Sequence, residues 1–304
     1  MRSPLRPTNP AAQRANLTVR DTWSSTQRWS PLDAYDIRGR LMAFKTLSLS
    51  NNYVLSVQKS EVTGTRSKTI SRTLPDAVVS LSSLEQLWFA ERWMSNAQVN
   101  LKFARRTVEN VGSTFNTEDS FGTDLRSIIR KRFDTLISYN RRLTNNKDLR
   151  VQANTQLTKH EDATVQVTFD IGKFRLTPKT DFSRDTNQLG TGVKTQDVEV
   201  ITPSLLARAD LAMPSGLRLP GSAKPLLFTN RIIWTSTLSM AMRRSPVTTA
   251  DNSRLFSFNT SGDYEIAKNL RMTLNGSMQR LWHKFLKEEE FVSYQFGTTL
   301  TFQF

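Results

Sequence analysis

Apolar and polar side chains alternate along most of this chain, and that period of two constrains its fold more than any other feature. The closing stretch, FVSYQFGTTLTFQF (291–304), puts Val292, Tyr294, Phe296, Leu300, Phe302 and Phe304 on one parity. Ser293, Gln295, Thr299, Thr301 and Gln303 fall on the other. Successive side chains of a β-strand point to opposite faces, so such a run is a strand with one oily and one wet surface. The pattern recurs over 41–57, 99–103, 133–139, 149–157, 165–171, 201–213, 228–242, 256–266 and 270–282. TNNKD (144–148), PSGLRLPGSAKP (214–225) and AKN (267–269) interrupt it with turn chemistry. The stretch 177–195 reads as a long polar loop. In LSSLEQLWFAERWMS, Leu84, Leu87 and Trp88 are spaced like a helix face, with Ser82 and Glu85 spaced as a capping box, which predicts a short helix or turn. The Pro-rich residues 1–16 read as a disordered segment ahead of one β-unit over 17–304.

Composition removes several functional classes. There is no cysteine, which excludes disulfides, Cys-ligated zinc and iron–sulfur clusters, and there are only two histidines, His160 and His283. His160 sits in LTKHEDA, read as a turn, and His283 in LWHKFLKEEE, read as a strand end; neither is placed as a base or a ligand. No G-x-S-x-G elbow occurs, the Gly190–Gly192 stretch lacks the strand–helix context of a phosphate loop, and carboxylates are scattered. The residues therefore predict no enzyme, no cofactor and no metal. The net charge is +15, from 42 Lys+Arg against 27 Asp+Glu. The basic residues Arg105/Arg106, Arg130–Arg132, Arg141/Arg142 and Arg243/Arg244 read as separate rims near strand ends, not one stripe, and no nucleic-acid-binding motif appears. No stretch reaches the roughly 18 apolar residues of a membrane helix. MRSPLRPTNPAAQRANLTVR has a basic start without the apolar run of a signal peptide.

Alternation alone also fits a soluble β-sandwich or soluble barrel. Three features favour a transmembrane β-barrel. The runs are long, whereas ordinary strands cluster near about 5–6 residues. The second parity is rich in Asn, Gln, Thr, Ser and Arg, as a watery interior requires. Trp23, Trp29, Tyr35, Tyr139, Trp282 and Tyr294 fall near segment ends, like the aromatic girdles at a bilayer's two interfaces. Low mean hydropathy, −0.45, is expected where half of each strand meets water. The expected fold is all-β, an antiparallel transmembrane barrel section of about ten to twelve strands.

Two resemblances extend this reading. The final strand resembles the C-terminal signal of bacterial outer-membrane barrels, which the barrel-assembly machinery reads; the matching positions are Tyr294, Phe296, Leu300, Phe302 and Phe304. TISRTLPDAVVSLSSLEQL resembles a motif of the SprA family, the giant barrel of the type IX secretion system, with Arg72, Pro75, Asp76, Leu84 and Glu85 in the matching positions. ITPSLLARADLAMPSGLRLP and LFSFNTSGDYEIAKNLRMTLNGSMQR are similar to later stretches of that family. The resemblance spans about residues 38–304; SprA-like proteins are several times longer. It implies the C-terminal arc of a larger outer-membrane barrel that conducts secreted proteins. The implied partners are outer-membrane lipid, the assembly machinery, the secreted cargo, plug or accessory subunits and the rest of the barrel. Arg150 and Arg208 are expected to face the lumen. The competing expectations are a self-contained porin-like barrel or outer-membrane enzyme, and a soluble basic β-protein that binds polyanions.

Overall fold

The computed structural model describes residues 16–37, 39–62, 65–87, 90–151, 154–212, 231–267 and 270–302. Residues 1–15 and 213–230, which include the whole of the break at 214–225, lie outside them. Thirteen strands form one sheet: β1 Asn16–Trp29, β2 Ser48–Val62, β3 Thr65–Leu81, β4 Met94–Asn110, β5 Thr114–Ile129, β6 Phe133–Asp148, β7 Gln156–Ile171, β8 Phe174–Leu189, β9 Lys194–Ala212, β10 Arg231–Arg244, β11 Ser253–Ala267, β12 Leu270–His283 and β13 Phe291–Phe302. Each strand pairs antiparallel with its neighbours in the chain, and the spatial order is the sequence order. The expected all-β antiparallel section is borne out, with thirteen strands where about ten to twelve were expected. Among the described residues no pairing joins β13 to β1, so the sheet is an open section with two edges.

Directly opposed residues share a face, so the registers extend the alternation across the whole sheet. One row of partners runs Trp29, Leu49, Val79, Leu101, Thr123, Tyr139, Ala163, Phe182, Ile201 and Met242. Another runs Leu205, Leu238, Phe258, Met278 and Tyr294. The opposite face carries residues such as Asn100, Asp124, Ser138, Thr164 and Asp181. Bulges shift the register at Asn51/Val54, Thr73/Asp76, Ser95/Gln98, Asn187/Gln188 and Glu265/Ala267. At the Ser95/Gln98 bulge Asn96 adopts φ 51°, a conformation that asparagine tolerates better than most residues.

This sheet has no hydrophobic interior. The only apolar side chains buried are Ala43, Ala90, Ala97, Val198 and Ala209 among the described residues, and the largest of any type fully buried are Ser127 and Ser245. Ala43 and Ala90 belong to the connections at one end, where the 3₁₀ segment Gly39–Thr46 lies near the β3–β4 connection, and Ala97 lies at the adjoining start of β4. Thr46 ties the two together: its hydroxyl donates to Ser82 O (2.6 Å) and accepts from Ser82 N–H (2.9 Å).

Several sequence expectations are corrected. Residues 177–195 are not a loop; they form most of β8, a four-residue-scale turn around Gly192 (φ 88°) and the start of β9. The run 41–57 is not one strand, because Gly39–Thr46 is 3₁₀ and β2 begins at Ser48. TNNKD is the end of β6; the turn follows it, with Asp148 Oδ1 accepting the N–H groups of Arg150 (2.8 Å) and Val151 (3.1 Å). Residues 149–155 therefore connect strands, and Arg150 lies there, not on a strand face. His160 lies inside β7, not in a turn. Arg105/Arg106 and Arg141/Arg142 lie inside β4 and β6, as Trp23 does inside β1 and Tyr139 inside β6. The helical spacing near Leu84 gives a 3₁₀ turn, Leu84–Gln86, without the Ser82–Glu85 box; its N-cap is Ser83 and Trp88 is outside the described residues.

The β7–β8 register is directly testable because the chain has no native cysteine. Thr164 stands opposite Asp181, its hydroxyl 2.7 Å from Asp181 Oδ1. The Thr164→Cys/Asp181→Cys pair is expected to form a disulfide readily on mild oxidation, and Thr164→Cys/Phe182→Cys, which face opposite sides, is not. Gel mobility with and without reductant reads the result.

Candidate functional site

The candidate site is the sheet's apolar face. On β4 to β8 its oily band covers about nine residues per strand, the length a tilted strand needs to cross a bilayer core. In β5 it runs over Phe121, Leu125 and Ile129, and in β7 over Val165, Val167, Phe169 and Ile171. Leu101, Phe121, Ile137, Val165 and Leu238 are each exposed by about two fifths to one half, and no described element covers them. Ser127, Thr135 and Ala209, small residues on the same face, are almost fully covered by their larger neighbours. Over β4–β8 the face is therefore a largely apolar surface.

The strands outrun the band at the end that carries the β4–β5, β6–β7 and β8–β9 turns. There the same parity turns charged and forms a ladder of alternating sign: Arg141, Glu161, Arg184, Glu199 and Arg244 are successive cross-strand partners. Opposite charges directly across a strand pair attract by about 0.2–1 kcal/mol. One step further out, Arg105 grips Asp119 with Nε and Nη2 (the latter 2.9 Å), and Arg184 grips Asp197 with both nitrogens at 3.0 Å. Lys194 also reaches Asp197 (3.1 Å), and Lys159 and the Tyr139 hydroxyl reach Glu161 (2.7 and 3.0 Å). This collar escaped the sequence reading, although its signal is there: charged residues on the apolar parity at one end of consecutive runs.

The opposite face is lined with hydrogen bonds and ion pairs. His160 stands between Asp185 (Nδ1···Oδ1 2.6 Å) and Asp162 (Nε2···Oδ1 3.3 Å); Asn140 donates to Asp162 (2.8 Å). Lys102–Asp124 (3.0 Å), Arg142–Glu118 (3.2 Å) and Arg271–Asp263 (2.8 Å) bridge neighbouring strands. Arg208 is on this face, opposite Arg175. His283 closes β12, as expected, and its N–H donates to Glu290 Oε1 in the β12–β13 connection. Lys287 Nζ, 2.9 Å from the same oxygen, holds the Glu290 carboxyl below the usual range. No three His, Asp or Glu residues converge in a metal-holding group among the described residues.

The named sequence positions fall in three places. Tyr294, Phe296, Leu300 and Phe302 all stand on the apolar face of edge strand β13, with Phe296 83% exposed; Phe304 is outside the described residues. Phe296 lies over Gly276, where an added Cβ would come 3.5 Å from its ring. Pro75 and Asp76 lie at the β3 bulge, where Asp76 N–H donates to Asn51 Oδ1 (3.3 Å), and Arg72 precedes it in regular register with Thr107. Leu84 and Glu85 form the 3₁₀ turn, and the Glu85 carboxylate accepts the N–H of Ala97 (2.9 Å), satisfying the backbone beside the Asn96 bulge.

No family model matches this chain, and no curated protein does. The crystal structure of the β domain of the Bordetella autotransporter BrkA aligns over 95% of this chain and 100% of that domain. The identity is 10% and the TM-score 0.26, too low for the likeness to carry an argument.

Two predictions follow from the charged groups. Asp197→Ala leaves Arg184 and Lys194 without their acceptor and is expected to cost about 1–3 kcal/mol in urea unfolding of the full chain, against a smaller loss for Thr186→Ala. A depressed carboxyl contributes stability above its unfolded pKa and loses it as pH falls through the folded one. The Glu290 link to His283 should therefore open on acidification, seen as faster hydrogen exchange of the His283 amide, corrected for intrinsic rate, at pH 3 than at pH 6.

Proposed function

We propose that this chain is a stretch of wall of a transmembrane β-barrel in the bacterial outer membrane. Its apolar face meets lipid and its polar face a watery interior. The observation that carries this is the separation of the two faces across all thirteen strands without any buried apolar core. In water that face would be left uncovered; in a bilayer it is solvated, and each inner strand already has a hydrogen-bonded neighbour on both sides.

On this reading the wall belongs to a larger, SprA-like conduit for secreted proteins. The open edges support it. With thirteen antiparallel strands, β1 and β13 run in the same direction. Antiparallel closure therefore needs an odd number of further strands, supplied by the rest of the barrel. The polar face offers cargo a hydrogen-bonding surface of neutralised ion pairs, with no catalytic group required. The exposed aromatic positions of β13 are what the assembly machinery would engage.

Single-cysteine labelling in cells tests the wall. Cysteines replacing Leu101, Ile137 or Val165 are expected to react with a lipid-phase probe, and those replacing Ser138 or Thr164 with a water-soluble maleimide. Equal aqueous reactivity of both sets would overturn the membrane reading. Val165→Arg should reduce the folded, membrane-inserted fraction, with a cost of about 2–4 kcal/mol near the midplane. Loss of the protein should leave secreted proteins stalled in the periplasm; unaltered secretion would remove the conduit while leaving the wall intact.

A further inference from the structure

The collar is electrically closed over β4–β9 but not over β10–β12. Arg254 does not stand in the charged ladder. It occupies the next row inward, between Met242 and Trp282, a row that is otherwise apolar across β2–β10 apart from Thr123. Arg280 is one row deeper still, opposite Phe256 and Val292. Neither makes an ion pair among the described residues; the Arg280 guanidinium instead lies 4.6 Å from the centre of the Trp282 ring. Arg244, diagonal to Arg254, has Glu199 opposite as its only ladder carboxylate. Arg244, Arg254 and Arg280 are all exposed. Diagonal neighbours in a sheet are about 7–8 Å apart, so the three like charges repel one another. In an apolar layer a cationic side chain has to snorkel to water or be neutralised by an anion.

Beside this cluster lies an open groove of about 800 Å³, lined in part by Ile201, Met240, Met242, Arg254 and Trp282. An irregularity of the sheet lies next to it. The β9–β10 pairing is interrupted at Thr202 and Pro203, and proline has no N–H to donate to Met240 across the ladder. Methionines line the gap with flexible apolar side chains that adapt to an irregular chain.

We propose that this groove binds an anionic phospholipid, one whose headgroup carries a net negative charge at its phosphate. The phosphate is held by Arg254 with Arg244 and Arg280, and an acyl chain lies along Met242 and Met240 beside Pro203. Guanidinium groups suit phosphate because their donors bind it bidentately, and Trp282 shields the junction between head and chain. The site rests on the wall reading above, which puts these rows at the membrane's edge.

The test uses the purified full chain in neutral detergent, with phosphatidylglycerol, phosphatidylcholine and inorganic phosphate as probes and native mass spectrometry as the readout. Phosphatidylglycerol is expected to bind at least tenfold more tightly than phosphatidylcholine, and millimolar inorganic phosphate is expected to displace little of it. Arg254→Gln/Arg280→Gln should weaken phosphatidylglycerol about ten- to hundredfold, whereas Arg105→Gln should not. Met240→Ser should weaken the lipid without affecting any residual phosphate binding. Equal binding of the two lipids, which needs no variant to observe, overturns the proposal. Full displacement by inorganic phosphate also overturns it, in favour of a free-anion site. If Val165 labels from lipid while the double variant binds normally, the headgroup site fails alone; if Val165 labels only from water, the wall reading itself fails.

Discussion

A peptide group placed in hydrocarbon has only other peptide groups to bond with. In this chain that requirement is met by the ladder itself: every strand from β2 to β12 is paired on both sides. Side chains are thereby released from holding the sheet together and can be chosen for the medium on each side. The absence of large buried side chains among the described residues follows from this division. Packing on the oily surface is lateral, between neighbours in a row, and reaches closure only around small residues such as Ser127, Thr135 and Ala209.

The alternation made the fold class and several pairings legible. Phe258 opposite Met278 and Tyr264 opposite Met272 are the partners that the matching parities of those two runs suggest. What stayed hidden has one physical cause. Where strands leave the apolar band, both parities become polar and the period-two signal disappears although the hydrogen-bond ladder continues. Residues 177–189 read as loop because Arg184 and Thr186 replace oily residues on the outer parity, and TNNKD read as a turn for the same reason. The opposite error occurred at 41–47, where an alternating run folds as 3₁₀ because its ends are fixed by Thr46 and the neighbouring connection, not by a strand partner.

The candidate site was legible in the same uneven way. The apolar face could be read residue by residue, since each member announces itself by parity. The collar could not, because its meaning depends on which charge lies opposite which, and register is a tertiary fact. Arg141, Glu161, Arg184 and Glu199 are separated widely in sequence and become a ladder only when four strands align. The two arginines that step inside the ladder, Arg254 and Arg280, are likewise unremarkable as sequence; their rows make them anomalous.

Because spatial order repeats chain order, no strand has to search for a distant partner. Each new pairing closes only the connection just made, and closure entropy rises slowly with loop length, so the ribbon can lengthen hairpin by hairpin with its earlier turns already zipped. Topologies of this local kind nucleate quickly. The growing margin is always a single naked strand, which makes it both the template for the next addition and the place where a stalled intermediate would stick to foreign chains.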